Sequence, residues 1–365
     1  LPRKPQAAIA ASSLAMLAAL AVERPALAGN MDPTPERLAT CSGSPLACTP
    51  NNVAWANMMS ELGMAIAPTA FHSARSTGLG GFALSLETSF THVNADATAG
   101  GIPYWHLGTQ GPTDPNTHAF SVVNNNPDSI LGVYSLKARK GLGYGFEIAG
   151  DLGYLANTSL WVGGADLRWA LLEGYRTGFL GYLPDVSIGG GVRTLGGSSK
   201  FFLTTVGIDA QISKPFAIDD SAVLTPYVGG QRVIIFADSS VVDLTPTVDP
   251  LVGQSGYPCG YLGPNVPGNP NATAGNLANG QVPNDGTPIC KNSNRGNADF
   301  NNDTTFQRAR IHRWRWLAGL NYRFEILYLA AQFAMDLTDP SAENGNLGVT
   351  GNKQWTMSFE AGVSF

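Results

Sequence analysis

The last eleven residues of the chain alternate without a break: Trp355, Met357, Phe359, Ala361, Val363 and Phe365 are apolar, and Thr356, Ser358, Glu360, Gly362 and Ser364 stand between them. Side chains of an extended chain point to opposite faces with a period of two. The segment is therefore a strand with one apolar and one polar face, running up to an aromatic residue. Two architectures use such a strand. One is a membrane barrel, whose apolar face meets lipid; the other is a soluble antiparallel sandwich. The rest of the chain decides between them.

The same alternation recurs in Phe82 to His92, Ile130 to Arg139, Tyr144 to Tyr154, Leu160 to Leu171, Val186 to Thr194, Phe202 to Ile212, Leu224 to Phe236, Arg308 to Phe324 and Leu327 to Leu337. Each is near the roughly ten residues that a tilted strand needs to cross a bilayer. With the terminal segment this gives about ten strands, eight or twelve remaining open. Leu224 to Phe236 is irregular, because Arg232 falls on the face of Leu224 and Val228. A bulge at Gly229-Gly230 would restore the register, or Arg232 lies above the bilayer. Links after even strands (Gly141 to Gly143, Phe324 to Ile326) are tight, while two links after odd strands, 95–128 and 237–305, are long. Glu173 to Asp185 is longer than that parity expects. Tyr144, Tyr154, Trp161, Trp169 and Trp355 stand near segment ends, where interfacial girdles belong.

The repeated alternation and the closing strand ending in Phe365 resemble bacterial outer-membrane β-barrels of the porin-like and small-barrel kind, over residues 80–365. The resemblance implies an all-β fold: a transmembrane antiparallel up-and-down β-barrel in the outer-membrane lipid of a Gram-negative bacterium. Composition agrees with it. Charged residues are 13% of the chain, glycines number 43, and mean hydropathy is near zero, as expected of an apolar outside around a polar inside. A net charge of -5 gives no basic footprint for nucleic acid.

Ahead of the barrel, Arg3 and Lys4, the apolar Ala7 to Val22 and the small-x-small Ala26-Leu27-Ala28 predict a secretory signal over 1–28, cut before Gly29. Residues 29–79 then form a periplasmic, plug or appendage segment. Asn51-Asn52 caps a short helix there over Val53 to Ala67, ended by Pro68. An exported chain meets an oxidising compartment, so Cys41, Cys48, Cys259 and Cys290 are expected to pair. Three connectivities exist, of which the local Cys41–Cys48 and Cys259–Cys290 fits best, each pair lying in one non-strand segment.

The polar faces of the strands carry Glu87, Glu147, Asp151, Asp166, Asp209, Asp336 and Glu360 together with Lys137, Arg139, Arg168, Arg193, Arg313, Arg315 and Arg323. A barrel of this size is only slightly wider than one filled by side chains, so such charges must pair or bear a desolvation cost. They predict either a narrow charge-lined channel for small solutes, with Arg139, Arg313 and Arg315 selecting anions, or a salt-bridged, closed barrel. A closed barrel would serve as a structural or adhesive mount for surface loops, 237–305 above all meeting surface partners.

No catalytic constellation stands out, so the chain is not read as an enzyme, and no cofactor is implied. The five histidines are scattered, and His312 sits among Arg308, Arg310 and Arg313. Asp299, Asn301 and Asp303 have the spacing of a calcium loop, but Thr304 replaces the expected glycine and Arg310 the bidentate glutamate. No metal is assigned to them.

Overall fold

The alternating stretches form ten long strands: β1 Phe82–His92, β2 Ile130–Gly143, β3 Phe146–Leu155, β4 Trp161–Leu172, β5 Asp185–Gly196, β6 Phe201–Ser213, β7 Ala222–Ser239, β8 Ala309–Phe324, β9 Leu327–Asp336 and β10 Trp355–Ser364. Each pairs antiparallel with its sequence neighbours, and β10 pairs back onto β1. The sheet is a closed up-and-down barrel without an edge. The computed structural model describes residues 29–42, 47–70, 73–109, 124, 126–174, 183–219, 221–244, 259–260, 289–290 and 303–365. The expected signal, 1–28, lies outside them, as do Asp299 and Asn301.

The terminal aromatic is stitched into the seam. Phe82 N donates to the Phe365 carbonyl at 3.1 Å, and Phe365 N donates to the Phe82 carbonyl at 2.8 Å. Around the barrel, Leu86, Leu152, Ile208 and Leu329 point outward and are exposed, while the intervening Glu87, Lys137, Arg168, Gln231, Arg315 and Glu360 are buried inside. An apolar belt around a closed barrel is the architecture that satisfies every backbone group in lipid, and it marks an outer-membrane β-barrel. Aromatic residues rim it at both ends. Phe146 stacks on Trp169 at 5.3 Å near one, and His92 on Trp355 at 5.8 Å near the other.

The very long links after β1 and β7 mark the outer end, and the opposite end is periplasmic. The β2–β3 and β8–β9 turns use positive φ at Tyr144 (52°) and Glu325 (51°), so Tyr144 belongs to a turn and not to the strand expected for it. At the outer end the links after β1 and β7 are long, but those after β3 and β5 are short. The bulge offered for Gly229-Gly230 is absent: β7 keeps one register against β6 and another against β8 along its length. Arg232 points outward instead, near the outer rim. Its guanidinium lies 5.1 Å from the Trp314 ring and 3.8 Å from Glu343 of the β9–β10 link.

A helix, α1 Asn52–Ala65, precedes β1. Asn51 Oδ1 accepts from Ala54 N at 2.9 Å and caps it, so the helix begins one residue before the expected Val53. It ends at Ala65, two residues short of the expected Ala67, where Pro68 disfavours helix in the residue before it. Positions 54 to 65 are buried all round, Asn57, Ser60 and Glu61 included. An amphipathic surface helix would hide one face; this one lies inside the barrel.

Candidate functional site: the lumen and the segment that crosses it

Strand alternation brings the lumen charges together as neighbours on the wall. Lys137 Nζ lies 3.3 Å from Glu87 and 3.8 Å from Asp166. Arg193 reaches Asp166 at 2.8 Å and Asp151 at 2.7 Å. Arg168 meets Asp209 at 3.4 Å, and Arg139 lies between Glu147 (3.9 Å) and Glu360 (3.8 Å). Arg313 pairs with Asp336. Of the predicted lumen cations, only Arg315 and Arg323 lack a carboxylate partner among the described residues. Arg323 is exposed at the periplasmic mouth and donates to the Glu325 carbonyl at 3.0 Å.

Arg315 explains itself through the N-terminal segment. Its guanidinium donates to the Pro68 carbonyl at 2.7 Å and to Gln231 Oε1 at 2.6 Å. The same wall holds that segment at level after level. Arg313 donates to the Ser60 carbonyl at 3.3 Å, Thr205 to that of Gly63 at 3.1 Å, Gln231 to that of Pro68 at 3.0 Å and Gln211 to that of Ala70 at 2.9 Å. Thr69 donates to Glu87 at 2.6 Å, Ala74 N to Ser213 at 3.0 Å and Thr77 N to Glu147 at 2.8 Å. Most of these contacts read backbone, which carries no side-chain pattern.

The direction of travel follows from the partners. Met31 N donates to the carbonyl of Asn157, in the outer β3–β4 link, at 2.9 Å, and Arg75 pairs at 2.6 Å with Asp185 where β5 begins. The described residues between 31 and 77 therefore lead from the outer rim to the periplasmic rim before β1 starts. Beside Pro68 and Thr69 the remaining spaces measure 10 and 20 Å³, room for a water or two. A vestibule of 560 Å³ opens at the periplasmic mouth, between Arg75, Arg139 and Arg323.

At the outer mouth, Glu61 of α1 was not singled out by sequence, although it is the sole charge on that helix. It accepts from Tyr104 Oη at 2.5 Å, from Asn94 N at 2.8 Å and from Asn94 Nδ2 at 2.8 Å. Burial and the adjacent carboxylate push the Tyr104 hydroxyl far above its ordinary range, so it stays protonated and donates. The β1–β2 link is thereby tied to the helix. Asp96 and His106 also meet there, at 2.8 Å, a pair that their ten-residue separation hid. His106 Nδ1 faces the Asn124 carbonyl at 3.1 Å, so both ring nitrogens face acceptors. That arrangement ties the two ends of the link together.

The four cysteines fall opposite one another in two short ribbons, Cys41 against Cys48 and Cys259 against Cys290. Asp303 pairs in a two-residue ribbon with Asp243. Among the described residues, no group of His, Cys, Asp and Glu is arranged to hold a metal.

No family model matches the chain. No curated protein matches it by sequence. Solved structures of outer-membrane proteins do match by shape. The attachment invasion locus protein Ail of Yersinia pestis shares 11% identity over 79% of this chain and 99% of its own, with a TM-score of 0.25. The translocator domain of the autotransporter NalP from Neisseria meningitidis shares 9% over 79% and 88%, at 0.30. An outer membrane channel from Pseudomonas putida F1 shares 9% over 82% and 100%, at 0.27.

Proposed function

We propose that this barrel is closed by its own residues 29–78 and works as a rigid mount for its outer loops, not as an open, charge-lined channel for small solutes. The run of hydrogen bonds from Ser60 to Thr77 carries the reading, because it occupies the lumen at successive levels. The wall charges support it. Cations and anions that neutralise one another leave no ring of one sign to select an ion. The outer links, 237–305 among them, would then meet surface partners, and lipid would be the other partner.

Planar-bilayer conductance tests this. The intact protein is expected to be silent, and a variant lacking residues 30–78 to pass current. Steady current through the intact protein, with an anion preference lost on replacing Arg313 and Arg315, would restore the channel reading.

A further inference from the structure

The outer end of the lumen segment holds a carboxylate without a counterion. Asp32 is 7% exposed. Its Oδ1 accepts from Ser159 N at 2.6 Å and from Ser159 Oγ at 3.1 Å, and its Oδ2 accepts from Gly29 N at 2.7 Å. Among the described residues, no lysine, arginine or histidine pairs with it. Buried carboxylates ordinarily have a cation, because neutral donors replace only part of the lost hydration.

Gly29 is held as tightly as the carboxylate. A Cβ added there would lie 2.1 Å from the Asn157 carbonyl oxygen, so a larger residue would force the β3–β4 link to move. Met31 N bonds that same carbonyl. The sequence, meanwhile, predicts cleavage immediately before Gly29. Endopeptidase hydrolysis breaks the Ala28–Gly29 bond. Water gives its hydroxyl to the Ala28 carbonyl and a proton to the Gly29 nitrogen, which takes a second proton from solvent at neutral pH. An amide nitrogen 2.7 Å from the carboxylate thus becomes an ammonium at the same place.

We propose that Asp32 is the receptor for the α-ammonium of the processed chain, and that this ion pair locks the outer end of the lumen segment onto the β3–β4 link. The ion pair rests on the cleavage expected from the sequence; its role as a lock rests on the closed-barrel reading.

The test uses the protein purified from outer membranes. Mass spectrometry establishes whether the chain starts at Gly29, and acetic anhydride near neutral pH then measures the reactivity of the α-amine. The folded wild type is expected to react slowly and the urea-unfolded protein fast. Asp32→Asn, which keeps an oxygen for Ser159, is expected to speed labelling of the folded protein by about tenfold or more, as loss of a charge-assisted bond implies. An N-terminus elsewhere, or equal labelling of folded wild type and Asp32→Asn, would overturn the proposal. If Asp32→Asn does not fold, the wild type decides: labelling as fast folded as in urea overturns it. An unprotected amine in a protein silent in the bilayer removes the ion pair and leaves closure standing. A protected amine in a conducting protein does the reverse.

Discussion

Arg315 donates to the carbonyl of Pro68 across 2.7 Å, so a buried guanidinium on the barrel wall is satisfied by the backbone of the segment it encloses. Replacing it with methionine keeps the volume and removes both donors. Gln231 still serves Pro68 but loses its own partner. Arg315→Met is expected to destabilise the barrel by about 1.5–3 kcal/mol, the range for hydrogen bonds to a charged group. Arg315→Lys keeps the charge without the planar fork, so it should recover only part of that. Urea unfolding in lipid vesicles measures both, and a methionine variant as stable as wild type would refute the contact.

Tyr104 and Glu61 tie the β1–β2 link to α1. Tyr104→Phe removes one donor from a buried carboxylate, an expected cost of about 1–3 kcal/mol. Glu61→Gln should cost less once Tyr104 is already Phe, because the two share one bond. Protease cleavage within residues 93–109 on intact cells gives the readout, faster in either single variant. Strict additivity in unfolding experiments would show that the residues act separately.

The legible part of this molecule is the part that lipid dictates. A strand between lipid and lumen must alternate, so ten strands and their order could be read from sequence. One boundary slipped where a turn needed positive φ, at Tyr144, and of the two alternatives left open for Arg232 the one at the outer rim fits its contacts with Trp314 and Glu343. The path of residues 29–78 was not legible. Its anchors are the carbonyls of Ser60, Gly63, Pro68 and Ala70, which every residue type supplies. Pairings such as Glu61 with Tyr104 join distant residues, and no local period announces them.

The two cysteine ribbons predict local bridges. Register sets Cys41 opposite Cys48 and Cys259 opposite Cys290. Non-reducing peptide mapping of the exported protein should return those two linked pairs. Reduction should cost about 2–4 kcal/mol where a closed loop constrained the unfolded chain. Any peptide joining Cys41 or Cys48 to Cys259 or Cys290 would refute the pairing.

Gly63 shows how closely α1 is fitted to the wall. A Cβ there would lie 2.4 Å from Ile235 Cγ2, and the Gly63 carbonyl is held by Thr205 at 3.1 Å, so the helix cannot simply back away. Two effects compete in Gly63→Ala. Helix propensity favours alanine by about 1 kcal/mol; overpacking typically costs about 1–3 kcal/mol. Ile235 is fully buried and β-branched, with few rotamers to retreat into, so overpacking should win. Ile235→Ala alone leaves a cavity and should cost about 2–5 kcal/mol. Combined, the added methyl enters the space that Ile235 vacates. The double variant should therefore be more stable than the sum of the singles by about 1 kcal/mol or more. Urea unfolding of the four proteins measures this coupling. A value of zero would mean that α1 does not sit against β7 in the membrane.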